Sequence, residues 1–203
     1  MNRVRYCLNV AVIWVALFQS VWAASSPVPM LENTASQIIA ALKENKPQLK
    51  QNHQIIYQAV ARYLLPHVDV TGMSRSVLGR EAWNKASPAD RQAFTQAFTQ
   101  LVIRTYSTPL AEYTNETVTF LPIRGGLDGS FTRVSSVIVR PSGQRIPLSY
   151  SLVSKNNDWK IYDLSVEGVS LLQSFRSQFG QVLQNSSMQD LIAQMRQHTK
   201  KAA

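Results

Sequence analysis

One acidic residue inside an apolar stretch is the most suggestive candidate for chemistry in this chain. Asp163 stands in "DWKIYDLSV", residues 158 to 166, a segment otherwise rich in large apolar side chains. A carboxylate in an apolar pocket can serve as a general base. It can equally cap a backbone amide or pair with an arginine at a sheet edge. The neighbouring strand patterns offer no second titratable partner, which favours the structural role.

The remaining chemistry-bearing residues do not form a recognisable catalytic set. His53, His67 and His198 stand far apart, and nothing near them has the spacing of metal ligands, so we expect no metal site and no cofactor. A Gly-x-Ser-x-Gly elbow, a phosphate loop, a His-Glu-x-x-His motif and a dinucleotide fingerprint are all missing from the sequence. "GGLDG" at 125 to 129 is typical of a hairpin turn. The absence of these catalytic motifs favours a binding protein over an enzyme.

Residues 1–23 have the features of a cleaved secretory signal. Arg3 and Arg5 precede an apolar run from about Cys7 to Phe18, and a cleavage site follows near Ala23. The alternative is a membrane anchor, but the apolar run is short for crossing a bilayer. Without this segment the chain has no cysteine, so an exported domain must be held together by its core alone.

Composition and charge narrow the class of protein further. The 203 residues are 45% hydrophobic and 16% charged, which is typical of a packed globule. We therefore expect one domain over residues 24–203, with 24–29 lacking fixed structure. Loss of Arg3 and Arg5 lowers the net charge from +9 to +7. The basic residues are scattered, which suits an anionic membrane surface or an acidic partner better than nucleic acid.

Helical periodicity occupies both ends of the chain. It begins near Met30, resumes after Pro47 until Pro66, and marks a short helix at residues 75 to 78 before Gly79. The clearest start is "SPADRQAF", residues 87 to 94, where a serine can cap and a proline suits the first turn. That helix should reach about residue 113, with a bend near Pro109. Helical period returns beyond Gly168, from Val169 to Val182, and a last helix covers roughly 187 to 198.

The period changes from 3.6 to 2 in the middle of the chain, which predicts four strands. They contain Val118 and Phe120, residues 131 to 139, residues 146 to 152, and residues 159 to 166. Turn residues between them favour an antiparallel meander. Pro147 argues against a fully paired central position in the third strand and allows an edge placement. The fold class is therefore α+β, with helices packed on one face of an antiparallel or mixed sheet.

Two segments resemble a known family. They are "LLPHVDVTGMSRSVLGREAWNKASPADRQAFTQAF", residues 64 to 98, and "DWKIYDLSVEGVSLLQSFRSQFGQVL", residues 158 to 183. Their Trp-x-x-Tyr-Asp and Glu-Gly-Val-Ser strings, at 159 to 163 and 167 to 170, are the most specific parts. The chain resembles the MlaC family of periplasmic phospholipid carriers, also called toluene-tolerance proteins, over nearly its whole mature length.

The resemblance implies a fold and a function. The fold is a cone-shaped, NTF2-like or similar arrangement whose helices and sheet enclose a deep apolar cavity. The function is that of a monomeric periplasmic carrier of phospholipid, which preserves the lipid asymmetry of the outer membrane. Its partners are an MlaA-type outer-membrane lipoprotein with a porin and an inner-membrane ABC transporter containing an MlaD-type component.

The periodic apolar faces, rather than the family, indicate which side chains line such a cavity. From the helices we predict Val77, Leu78, Phe94, Phe98, Val102, Leu172, Phe175 and Phe179, and from the strands Val137, Val139, Leu148, Tyr150 and Leu152. Each of these side chains can instead be ordinary core. Two other functions stay open: an enzyme of a similar cone shape that acts on an apolar substrate with Asp163 as base, and a carrier of another acylated cargo.

Overall fold

A computed structural model describes residues 25–124, 127 and 129–201, and the predicted signal segment lies outside them. Six helices and five strands follow one another, with short 3-10 or π turns at Lys46–Gln48, Val60–Leu64, Leu65–His67 and Thr108–Glu112. The helices are α1 Val28–Glu44, α2 Gln54–Ala59, α3 Val70–Lys85, α4 Pro88–Ser107, α5 Leu171–Asn185 and α6 Met188–Lys201. The strands are β1 Thr117–Phe120, β2 Phe131–Val139, β3 Arg145–Lys155, β4 Asp158–Val166 and β5 Val169–Ser170. No described helix is long and apolar enough to cross a bilayer.

The chain is ordered earlier than its composition suggested. Helix α1 begins at Val28 rather than near Met30, and Pro27 just before it is buried. The Trp159 indole nitrogen donates a hydrogen bond of 2.6 Å to the Ser25 carbonyl. Part of the stretch 24–29, predicted to lack fixed structure, is therefore held against β4.

The second predicted helix is broken into several turns. A 3-10 turn carries Pro47, α2 covers only six residues, and a π turn and a further 3-10 turn lead to His67. Proline cannot donate a backbone hydrogen bond and its ring crowds the preceding turn. Regular helix therefore ends before Pro66, as predicted.

Helix α3 is longer than predicted and is kinked at a glycine. It continues past Leu78 to Lys85, and Gly79 adopts φ 75° and ψ 164° inside it. Residues with a Cβ rarely adopt this non-helical conformation, so regular helix stops at the glycine, as predicted, and resumes beyond it after a kink. The carboxylate of Asp69 caps α3 by accepting from the amide of Gly72 at 3.1 Å.

Helix α4 begins as predicted and ends early. The Ser87 hydroxyl accepts from the Asp90 amide at 3.1 Å and donates to the Asp90 carboxylate at 2.8 Å. The α-helix ends at Ser107, and the expected continuation toward Tyr113 is a 3-10 turn around Pro109. The bend predicted at this proline is a change of helix type.

The sheet is an antiparallel meander in the order β1-β2-β3-β4-β5, so the prediction of four strands was wrong by one. The fifth strand pairs Val169 with Val166. Glu167 and Gly168 both have positive φ, which suits a tight two-residue hairpin turn. Two paired residues give too short a run for sequence alternation to detect.

Strand β3 is the central strand, so the edge placement considered for it is wrong, but Pro147 itself is not paired on both sides, as predicted. The carbonyl of Pro147 accepts from the Glu167 amide at 2.9 Å, so the backbone of Pro147 faces the β4 side. Strand β4 ends at Val166 opposite Leu148, one residue short of the proline. The missing amide therefore lies beside a turn and costs no ladder hydrogen bond.

The buried side chains form three clusters. The first contains residues of α3, α4, α5 and α6. The second contains residues of α1, α2, α4 and the stretch 110 to 113, and the third packs α1 against the sheet. In the third cluster Leu31 of α1 packs with Val134, Leu152, Trp159 and Ile161. Helix α1 therefore covers one end of one sheet face.

Candidate functional site

Asp163, the candidate base, is engaged in structure. One of its oxygens accepts from the Ser170 hydroxyl at 2.7 Å and the other accepts from the Leu172 amide at 3.1 Å. The Ser170 hydroxyl in turn accepts from the Gln173 amide and caps α5. The carboxylate therefore fixes the start of α5 on β4, and the structural role expected for it is confirmed.

The histidines do not converge on a common point. His53 lies before α2 with its ring edge-on to Tyr57 at 6.4 Å, His67 ends a 3-10 turn, and His198 lies in α6. Within the described residues no group of three His, Cys, Asp or Glu side chains could hold a metal ion.

The helical members of the predicted lining are brought together in the cluster formed by α3, α4, α5 and α6. Six of them are buried: Val77, Leu78, Phe94, Phe98, Phe175 and Phe179. Phe98 contacts Phe175 edge-on at 5.2 Å and stacks with Phe94 at 5.8 Å. Val102 and Leu172 are partly exposed and pack against this cluster. The aromatic rings therefore fill the space between the helices with one another.

The strand members are divided between the two faces of the sheet. Residues directly opposite in an antiparallel ladder share a face, and successive residues alternate. Tyr150 pairs with Val134 and Leu148 pairs with Ser136, so Tyr150, Leu148 and Leu152 share one face. Val137 pairs with Pro147 and Val139 with Arg145, on the opposite face. Val137 and Val139 therefore cannot line one slot together with Leu148.

A broad apolar surface lies on the face that carries Leu148. We name "the apolar sheet face" the eight partly exposed side chains Val118, Phe120, Ile138, Ile146, Leu148, Tyr150, Leu164 and Val166, which register places on one side of β1 to β4. Its far end continues into the cluster beneath α1, where Val134 and Leu152 are fully buried. The surface is thus covered at one end and left partly open over the rest.

Six of these eight residues were not among the predicted lining. Val118, Phe120 and Ile146 lie in predicted strands, but their face depends on the pairing register. Leu164 and Val166 share a face with Ile161 only because a bulge opposite Ser151 and Leu152 shifts the register. The signal was present as a change of phase in "WKIYDLSV", where apolar residues move from odd to even positions at Tyr162.

One polar pair interrupts the apolar sheet face. Ser136 lies between Phe120 of β1 and Leu148 of β3 in the ladder and is 1% exposed. Its hydroxyl donates to the Tyr150 hydroxyl at 3.4 Å. Burial raises the pKa of the Tyr150 hydroxyl, and the bond from Ser136 lowers it to a smaller extent.

The deep cavity implied by the resemblance is not shown by the described part of the chain. Two open depressions lie on the surface, one lined by Arg80, Glu81, Asn84 and Lys85, the other by Leu65, Val70, Thr95, Gln96, Thr99 and Gln100. Neither is lined by a predicted lipid-contacting residue. The apolar sheet face is therefore the surface best suited to an apolar ligand.

Comparison with known proteins gives consistent matches over most of the chain. The family described as MlaC protein matches residues 32–197. Toluene tolerance protein ttg2D of Pseudomonas putida is 30% identical over 164 residues, which cover 81% of this chain and 76% of that protein. The intermembrane phospholipid transport system binding protein MlaC of Haemophilus influenzae is 25% identical over 178 residues, covering 86% and 83%.

A solved structure shares the fold. The phospholipid-binding protein from Ralstonia solanacearum, in complex with a phospholipid, superposes with a TM-score of 0.80. The match covers 88% of this chain and 99% of that one at 24% sequence identity.

Proposed function

The chain belongs to the MlaC protein family, and on that premise we propose that it is a carrier that binds phospholipid and moves it between membranes. Two kinds of relative support this proposal. The Haemophilus relative is named as a binding protein of an intermembrane phospholipid transport system, and the Ralstonia protein of the same fold was solved with a phospholipid. The partly open apolar sheet face is the observation on this chain that carries the proposal.

The energetics of lipid transfer explain why such a surface is needed. Two acyl chains carry some thirty methylenes, and exposing each to water costs about 0.8 kcal/mol, so the gross cost exceeds roughly 20 kcal/mol. A carrier lowers this cost by contacting the chains with apolar side chains. The exposed fraction of Leu148, Tyr150 and their neighbours is area that the chains can cover, at about 25 cal/mol for each Å² removed from water.

The proposed contacts are four of the six partly exposed residues predicted from sequence, because Val137 and Val139 lie on the sheet face opposite Leu148. They are Leu148 and Tyr150 on the sheet and Val102 and Leu172 on the helices. The six buried helix residues contact lipid only where an acyl chain separates the packed helices, because Val77 and Leu78 are buried in the cluster and the four phenylalanine rings already fill the space between α4 and α5. Enclosure of the chains in a deep cavity is part of the same proposal.

Membership of the MlaC family supports a proposal for the setting and the partners. We propose that the protein acts in the periplasm after removal of residues 1–23, as a monomer. Its partners are an MlaA-type outer-membrane lipoprotein with a porin and an MlaD-type component of an inner-membrane ABC transporter. Exchange between them maintains outer-membrane lipid asymmetry.

The enzyme alternative is less favoured, because both oxygens of Asp163 already accept hydrogen bonds at the start of α5. A carrier of another acylated cargo would use the same surface. The identity of the bound molecule distinguishes this cargo from phospholipid.

The direct test is native mass spectrometry of the mature protein purified from a bacterial periplasm, followed by solvent extraction and lipid identification. We expect one phospholipid adduct for each protein. An apo mass, with no uptake from phospholipid vesicles, would contradict the carrier function, and a different acylated adduct would reassign its cargo.

A pair of variants tests the surface itself. Leu148→Gln places an amide on the apolar sheet face, whereas Val137→Gln makes a matched change on the opposite face of the neighbouring strand. Losing most of one leucine contact, worth about 1.5–3 kcal/mol, should weaken lipid binding roughly tenfold or more in the first variant. Val137→Gln should load like the wild type. Equal loading of two folded variants would remove the apolar sheet face as the site.

A further inference from the structure

The Ser136–Tyr150 pair is unusual because it lies within a surface that is otherwise apolar. By register, the same side of β1 to β4 carries only apolar and hydroxyl-bearing side chains from Val118 to Val166. An alanine or valine at position 136 would suit this setting, since a buried hydroxyl loses its hydrogen bonds to water. Ser136 is nevertheless 1% exposed.

The Tyr150 side chain extends from β3 toward β1. The ring lies 5.8 Å from that of Phe120, on the strand beyond β2, so the tyrosine leans across the sheet from β3. Its hydroxyl thereby reaches Ser136, which is diagonal to it in the ladder. The two hydroxyls are thus brought together on the apolar sheet face, and burial raises the pKa of the phenol.

The number of donors exceeds the number of hydrogen bonds. Each hydroxyl carries one O–H donor and can also accept. The two share one hydrogen bond, which is long at 3.4 Å. One O–H of the pair therefore has no acceptor within the part of the chain that the structure describes. A desolvated donor without an acceptor is unfavourable, and an oxygen brought by a ligand would relieve it.

We infer that the Ser136–Tyr150 hydroxyl pair donates a hydrogen bond to the ester carbonyl that joins an acyl chain to the glycerol of the bound phospholipid. This inference rests on the proposed carrier function and assigns one polar contact within the same site. The contact fixes how far the acyl chains extend along the apolar sheet face.

The chemistry of the surroundings selects an ester carbonyl over a phosphate oxygen. A phosphate on this surface would place a charge among Phe120, Leu148 and Leu164, and burial of an unpaired charge is far more costly than burial of a neutral carbonyl. A carbonyl needs only one donor. The ester carbonyl is also the polar group of the lipid nearest to the acyl chains, so it is the group that most easily reaches a polar pair within an apolar surface.

The test compares two lipids with the same head group and chain length, one a diacyl ester phosphatidylethanolamine and the other its dialkyl ether analogue. The ether lacks the carbonyl and keeps the phosphate. Binding of each lipid from vesicles is measured for the mature wild-type protein and for S136A/Y150F, which removes both hydroxyls and keeps the ring. Because both partners become apolar, the double variant should fold. Ser149→Ala, on the opposite sheet face, is the matched control.

We expect the wild type and Ser149→Ala to bind the ester about fivefold more tightly than the ether, as one hydrogen bond allows, and the double variant to bind both equally. Equal binding of both lipids by the wild type would overturn the inference and leave the carrier function intact. A preference that persists in the double variant would also overturn it. Weakening of both lipids to the same extent by the double variant would indicate a phosphate contact and overturn the ester assignment. If the wild-type protein bound neither lipid, the carrier function itself would be contradicted.

Discussion

Replacement of Asp163 separates a structural carboxylate from a catalytic one. The side chain holds the first turn of α5 through the Ser170 hydroxyl at 2.7 Å and the Leu172 amide at 3.1 Å. Asp163→Ala removes both bonds and the negative charge near the positive end of the helix. Asp163→Asn keeps an acceptor for the amide and loses the charge.

The expected destabilisation follows from these contacts. Loss of a capping acceptor costs about 1–2 kcal/mol, and loss of a favourable charge at a helix N-terminus costs a further 0.3–1 kcal/mol or so. Asp163→Ala should therefore lower the free energy of unfolding by about 1.3–3 kcal/mol, and Asp163→Asn by about 1 kcal/mol. With an m-value of about 2 kcal/mol/M in urea, the alanine variant should unfold at a midpoint lower by roughly 1 M.

Urea unfolding followed by tryptophan fluorescence measures this shift, since Trp83 and Trp159 are both buried. Asp158→Ala is the matched control on the same strand, because its side chain is 76% exposed and its ion pair with Lys160 is long at 3.7 Å. The control should change the midpoint little. An unchanged midpoint for Asp163→Ala would refute the capping role. Phospholipid loading should persist in folded Asp163→Asn, as a structural role requires.

Two further predictions concern the helices. Gly79→Ala should lower the free energy of unfolding by about 1–3 kcal/mol, because an alanine is strained at the φ of 75°. Gly180 lies in an exposed turn of α5 with open space around it, so Gly180→Ala should raise the free energy of unfolding by up to about 1 kcal/mol. Thermal or urea unfolding of both variants measures the two changes, and equal effects would contradict the prediction. Hydrogen bonds from the Ser187 side chain, and to a smaller extent from the Ser187 backbone, lower the pKa of Asp190 in the folded protein. Asp190 therefore stabilises the start of α6 fully at pH values above its unfolded pKa of about 3.9. This stabilisation is lost as the pH falls through the lower folded pKa. Carboxyl NMR titration should show a higher pKa of Asp190 in Ser187→Ala, and an unchanged pKa would exclude Ser187 as the cause.

The fold class could be predicted because local chemistry decides it. Alternation in "IPLSYSL" and capping by Ser87 are short-range patterns, and both gave the correct element. Strand β5 was missed because two residues do not show a period. The interruption at Gly79 was predicted correctly, but the sequence did not reveal that helix resumes beyond it as far as Lys85.

The candidate site was harder to predict than the fold. Phe98 and Phe175 were predicted correctly as apolar helix positions. Sequence cannot distinguish a side chain that lines a ligand cavity from one that packs in the hydrophobic core. Both kinds of position have the same hydrophobic period. The rings of the two residues lie 5.2 Å apart and fill the core. Ser136 was not considered because an isolated serine in a strand carries no sequence signal.

By itself, the sequence determined the order and type of most elements, the family, and the structural role favoured for Asp163, because these depend on neighbouring residues and on motifs that are continuous in the chain. Only the tertiary structure decided which residues of neighbouring strands lie on the same face of the sheet. The register places Leu148 with Phe120 and Leu164, turns Val137 to the other side, and brings the Tyr150 hydroxyl to Ser136 across the sheet. A one-residue change in pairing would exchange the two faces, and pairing is set by contacts between distant segments, which no local pattern encodes.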